Sequence, residues 1–156
     1  MKILAGTGHR PKFCPCKYKD DHPWLADLKD RLRSFLSNQE CIVRSGMALG
    51  WDLWLAEVAL ELGIEVHAYV PFQGQAQNWP TKSRKKYEKV INQVGEIHYT
   101  SEEYYPNVFL DRDIQLIEGS NEVLALLNPE AKTGGTYYTV NEAKKRGIHV
   151  VNFWKN

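Results

Sequence analysis

Two short glycine-bearing stretches carry the residue types best suited to holding an anion. Ser45-Gly46-Met47-Ala48-Leu49-Gly50-Trp51-Asp52 lies between the apolar run Cys41-Ile42-Val43 and a long apolar segment that begins at Leu53. The pattern reads as a strand, a turn and the first turn of a helix. Small residues there let backbone N–H groups approach a ligand closely, and the helix N-terminus behind them favours negative charge. That is the chemistry of a phosphate cradle. Gly134-Gly135-Thr136 repeats the arrangement near the C-terminus. The expectation is one nucleotide-like small molecule held between the two turns, with Thr7, Ser45, Thr136 and Thr139 as hydroxyl partners.

Other candidates fall at the ends of apolar runs. Gly6-Thr7-Gly8-His9-Arg10-Pro11 follows the strand pattern Lys2-Ile3-Leu4-Ala5, which places His9 and Arg10 at a strand's carboxyl end. They read either as ligand contacts or as a solvated turn. Asp52 either caps and charges a helix start or holds a ribose hydroxyl. Pro71-Phe72 closes another strand, and Phe72 and Trp79 either stack on a base or pack a loop. Arg112, within Asp111-Arg112-Asp113, either reaches a phosphate or ribose or pairs with a neighbouring aspartate. Asn128 ends a further strand and belongs to the same expected rim. Cys14-Pro15-Cys16 and His22 lack the spacing of a structural zinc site, so no metal site is expected, and no organic cofactor either.

The elements that would position these residues alternate along the chain. Strand patterns at Lys2–Ala5, 41–45, 64–70, 96–99, 122–127 and 148–153 are separated by helical periodicity from Trp24, from Leu53 to Leu62, around Tyr87 to Val94, through Leu110, Ile114 and Ile117, and after Thr136. Residues 12 to 22 read as a loop. The helix from Leu53 is apolar nearly all round and is expected to be buried. The alternation predicts one domain over 1–156: an α/β, Rossmann-like, doubly wound, mainly parallel sheet flanked by helices. Its strand-to-helix loops would share one edge, where such sheets bind ligands.

Composition narrows the partners. The chain has 156 residues and a formal net charge of +1, so no overall field marks a polyanion binder. Lys82, Arg84, Lys85, Lys86 and Lys89 form the concentrated basic stretch, readable as a nucleic-acid face or as the wet face of a helix. The absence of a leader pattern and of a membrane-length apolar run gives the expectation of a cytoplasmic protein without membrane contact. A homodimer paired through helices is a further expectation.

Three motifs in order, Gly6-Thr7-Gly8-His9-Arg10, Ser45 to Asp52, and Gly134-Gly135-Thr136-Tyr137-Tyr138-Thr139, resemble the SLOG superfamily, which joins DNA-processing protein A (DprA, or Smf) to the lonely-guy phosphoribohydrolases. Within it the chain is most similar to the YpsA-like branch, which also carries an arginine at the helix start before the penultimate strand. The resemblance covers nearly the whole chain outside residues 12 to 22. It implies a Rossmann-like sheet that binds nucleotides or nucleotide-derived ligands, possible as a sensor or as an N-glycosidase on a nucleoside monophosphate. Lonely-guy enzymes use Gly-Gly-x-Gly-Thr-x-x-Glu, and Thr139 stands where that glutamate would. Glu142, three residues on, and Asp52 are the candidate catalytic carboxylates. DprA-like proteins share the Ser-Gly-x-Ala-x-Gly-x-Asp motif and bind single-stranded DNA without catalysis, which leaves nucleic acid as a lesser alternative.

Overall fold

A computed structural model describes residues 1–156. Six strands form one wholly parallel sheet: β1 (Lys2–Gly8), β2 (Cys41–Ser45), β3 (Glu65–Phe72), β4 (Glu96–Ser101), β5 (Glu122–Leu126) and β6 (His149–Asn152). Their spatial order is β4-β3-β2-β1-β5-β6. The chain winds outward from β1 to β4, returns, and winds the other way through β5 and β6. The reversal falls between β1 and β5, whose register pairs Leu4 with Glu122 and Gly8 with Leu126. Strands diverging to either side leave a crevice at their carboxyl ends.

Helices α1 (Pro23–Leu36), α2 (Trp51–Glu61) and α3 (Thr81–Ile91) cover one face, and α4 (Val108–Ile117) and α5 (Gly135–Lys145) the other. Period-two alternation assigns the strand residues. Leu4, Val43, Val66, Ala68, Val70, Leu124 and Leu126 face the first layer, in a core that also takes Leu25, Leu28 and Leu32 of α1. Ala5 and Val123 face the second, with Leu116, Ile117 and Ala143. The apolar α2 is buried because it lies against β1, β2 and β3 and is flanked by α1 and α3. Its apolar circumference is therefore covered within the chain.

Two local differences from the sequence expectation have physical causes. β1 runs on through Gly8 rather than ending at Ala5. Its glycines serve packing, since a Cβ at Gly6 would lie 2.3 Å from Leu55 Cδ2 and one at Gly8 2.4 Å from Trp51 Cγ. Within residues 12 to 22, a 3-10 turn at Pro11–Phe13 begins the segment and buries Cys14 and Cys16 against the main core. No helix is long and apolar enough to cross a membrane.

Candidate functional site

The crevice above the β1/β5 reversal holds a cavity of about 640 Å³. That is within the roughly 300–1,000 Å³ usual for small-molecule sites. Among its walls are Gly6 to Arg10 from β1 and the turn after it, Asn128 after β5, and Gly134, Gly135 and Thr136 at the start of α5. Ala48 and Asp52 come from the β2–α2 turn, and Arg112 and Asp113 from α4. Phe13 and Phe109 supply aromatic surface, and Glu130, Ala131 and Thr133 complete the rim.

The β2–α2 turn is built inward. Ser45 is fully buried; its Oγ donates to the Asp52 carbonyl at 2.8 Å and accepts from the Met47 N–H at 3.2 Å. The Ala48 N–H donates to Asp52 Oδ2 at 3.2 Å. Met47 takes a positive φ of 62°, and Gly50, at 91°, packs so close that a Cβ there would meet the His9 carbonyl oxygen at 2.5 Å. These N–H groups are thus spent on the chain itself. What the turn offers the cavity is the Asp52 carboxyl, whose Oδ1 has no protein partner and is not sealed from solvent. Burial, the largest influence, raises Asp52 from its ordinary 3.8 to about 6; Arg112 opposes the rise and Asp113 adds to it.

Arg112 is anchored rather than free. Its Nε donates to Asp113 Oδ1 at 2.7 Å, and its Nη1 donates to the carbonyls of Gly46 and Tyr69. Nη2 has no protein partner and is not a sealed orphan, which leaves it as a donor at the cavity surface. Of the two alternatives for this arginine, the pairing with a neighbouring aspartate is the one seen in the structure. Asp113 receives Arg112 on one oxygen and the Thr139 hydroxyl on the other, at 3.1 Å. The same hydroxyl lies 2.8 Å from the Gly135 carbonyl. The residue standing where lonely-guy enzymes place glutamate is a buried link between α5 and α4.

The second glycine turn is open. Gly134 caps α5 with φ of 98° and ψ of 170°, a conformation suited to glycine alone. The N–H groups of Gly135, Thr136 and Tyr137 make no hydrogen bond within the chain. Arg10, exposed and without an acidic partner, is the unpaired cation of the cavity; its guanidinium lies 5.4 Å from the Phe109 ring centre. His9 is partly buried, and burial holds its pKa below the ordinary value. The neutral ring accepts the Asn128 N–H on Nε2 at 2.9 Å, tying β1 to β5 across the reversal.

Not every sequence candidate lies on the cavity. Ser45, Gly46, Met47 and Gly50 stand behind its wall, shaping it. Pro71 is buried at the end of β3, and Phe72 packs edge-on to Phe109 at 6.0 Å, one ring removed from the cavity. Trp79 packs against Tyr87 at 5.6 Å on α3. Glu142 faces Arg146 at 3.4 Å and does not line the cavity. Sequence reasoning passed over Asp113, Phe109 and Phe13; a signal for Asp113 was present, as an acid beside Arg112 in a helix whose neighbours are apolar. Cys14, Cys16 and His22 do not converge: the thiols donate to the Arg10 and Lys17 carbonyls, and His22 Nδ1 accepts the Trp24 N–H as the cap of α1. None of the basic residues of α3 lines the cavity, and Lys82 and Lys86 pair with Asp20.

Comparison with known proteins places this architecture. The solved structure of DNA processing protein A from Streptococcus pneumoniae has a TM-score of 0.66 at 19% identity, covering 97% of this chain and 49% of that one. The chain thus spans about half of that protein. A structure on the single-stranded DNA binding mode of Helicobacter pylori DNA processing protein A gives 0.67 at 20%, covering 97% of this chain and 64% of that one. The Moco carrier protein of Chlamydomonas rheinhardtii gives 0.53 at 16%, over 97% and 74%. At these identities the fold is what is shared. In sequence, the chain is 33% identical to the UPF0398 proteins of Bacillus cereus strain G9842 and Bacillus thuringiensis strain Al Hakam, over 94% of its length and 85% of theirs. With residues 4–153 matching the profile of the YspA SLOG family, the chain belongs to that family.

Proposed function

We propose that the cavity binds a nucleotide or nucleotide-derived small molecule, as a binding or sensing module. The observation that carries this reading is the combination of the unspent N–H groups of Gly135 and Thr136 at the start of α5 with the unpaired Arg10 on the same cavity. Together they match a phosphate. The open oxygen of Asp52 and Nη2 of Arg112 suit ribose hydroxyls, and Phe109 and Phe13 offer faces on which a base stacks. A thermal-shift and calorimetric screen of nucleoside mono-, di- and triphosphates at millimolar concentration tests it. Saturable stabilisation by one class is expected; its absence across all of them sinks the reading.

A second reading rests on Asp52 alone. A buried carboxyl titrating near 6 and open to a cavity suits proton transfer near neutral pH. It would activate water against the anomeric carbon of a nucleoside monophosphate, while the base leaves with the bonding electron pair and takes up a proton. Release of free base, lost in Asp52→Asn, supports this reading, and no release from any monophosphate leaves binding alone. Single-stranded DNA, bound by the Helicobacter pylori neighbour, is the weaker alternative here, because the basic stretch lies off the cavity and is partly neutralised by Asp20.

A further inference from the structure

The opposite part of the sheet carries a second constellation, unrelated to the cavity. Period-two alternation puts Glu65 and His67 of β3 and Glu96 and His98 of β4 on one face, that of α4 and α5. The parallel register sets His67 beside Glu96 and Tyr69 beside His98. Both imidazoles turn Nε2 toward the same carboxylate: His67 lies 3.1 Å from Glu96 Oε2 and His98 3.2 Å from Glu96 Oε1. One ligand atom from each of the three residues fits within a span of 4.8 Å. Glu65 Oε2 also reaches His67 Nε2, at 2.5 Å.

We propose that His67, Glu96 and His98 bind a divalent transition-metal ion of the zinc class, with Glu65 as an available fourth ligand. Metal–nitrogen and metal–oxygen bonds of roughly 2.0–2.2 Å set neighbouring ligand atoms of a tetrahedral site a little over 3 Å apart. Each histidine nitrogen lies at about that spacing from one oxygen of Glu96, His67 from Oε2 and His98 from Oε1, and the three ligand atoms need to close only from within 4.8 Å of one another. Two imidazoles with carboxylates select zinc, nickel or copper over magnesium or calcium, which prefer oxygen alone. The rings are held: Tyr69 stacks on His98 at 4.7 Å, and His67 is 9% exposed. A cation on this face, Arg44, is the register neighbour of His67, but its guanidinium is bonded to the Leu116 and Glu118 carbonyls at the end of α4. The chain's thiols compete poorly, since Cys14, Cys16 and Cys41 are buried and burial raises all three, Cys14 to about 12. A bound ion would clamp β4, an edge strand with both faces largely exposed, to β3.

The test titrates chelator-treated full-length protein with Zn(II) by calorimetry and with Co(II) by absorption. Expected are one ion per chain, a raised thermal midpoint with Zn(II), and a cobalt spectrum without a thiolate charge-transfer band. His98→Ala and Glu96→Gln, both at exposed positions, are expected to keep the metal-free melting transition and to weaken Zn(II) binding at least tenfold. No saturable binding, binding unchanged in both variants, or a thiolate band would overturn the site. If one variant fails to fold, the other decides.

Discussion

At the scale of single residues, Asp52 holds the tension between stability and function. Its buried carboxyl is raised from 3.8 to about 6, so the native state prefers the protonated form. The stability this confers is fully present below pH 3.8 and is lost as pH rises through about 6. Ionised Asp52 therefore costs up to about 3 kcal/mol at pH 8 by the conversion of roughly 1.4 kcal/mol per pH unit. Asp52→Asn retains an oxygen to accept the Ala48 N–H and carries no charge. Denaturant titrations should show the variant more stable than the parent at pH 8, with the gap closing toward pH 4, while ligand-induced stabilisation falls. A variant less stable than the parent at both pH values would contradict this account. Gly46→Ala works against the same wall: its Cβ would meet Arg112 Nη1 and Asp52 Oδ2 at 2.7 Å. Arg112 is fixed by hydrogen bonds on two sides and cannot swing aside. A loss of about 1–3 kcal/mol is expected in the same titration, together with loss of ligand response.

At the scale of elements, the basic helix and the cavity separate two kinds of partner. Lys82 and Lys86 of α3 engage Asp20, and no α3 cation reaches the cavity. Replacing Lys82, Lys86 and Lys89 by alanine should leave small-ligand affinity within about twofold, since surface changes of this kind rarely exceed roughly 0.5 kcal/mol. Calorimetry on the variant checks it, and a tenfold loss would show that α3 belongs to the site. The elements themselves were readable because each buries a face: Leu25, Leu28 and Leu32 recur at helical spacing and do line the core side of α1, and Val123 to Leu126 form the unbroken apolar run of a central parallel strand. The site was half legible. Gly134 to Thr136 and Arg10 sit where a strand–turn–helix pattern puts them. Asp113 was not found because its role arises only when α4 packs over β3 and β1 and meets Thr139 of α5. Likewise, the N–H groups at 47 and 48 were read as open, and only the folded turn reveals that Ser45 and Asp52 occupy them.

For the whole molecule, the deciding quantity is how ligand binding feeds into global stability. A ligand that binds only the folded state adds RT ln(1 + [L]/Kd), about 2.7 kcal/mol at a hundredfold excess over Kd. For a chain of this size each kcal/mol moves the melting midpoint by roughly 2–4 °C, so a bound nucleotide should raise it by about 5–10 °C. Arg10→Ala isolates the source of that shift. Arg10 is exposed, has no ion pair and makes no side-chain capping bond at the 3-10 turn it precedes, so its removal should leave the ligand-free midpoint almost unchanged. A hydrogen bond to a charged group contributes about 1.5–3 kcal/mol, and its loss should weaken binding by about ten- to a hundredfold and erase most of the thermal shift. Added salt should reduce the parent's affinity only modestly, because few charges are involved, whereas a polymer bound through many phosphates would lose affinity steeply. An unaltered shift in Arg10→Ala would remove the phosphate from this end of the cavity, and a steep salt dependence would turn the assignment toward single-stranded DNA.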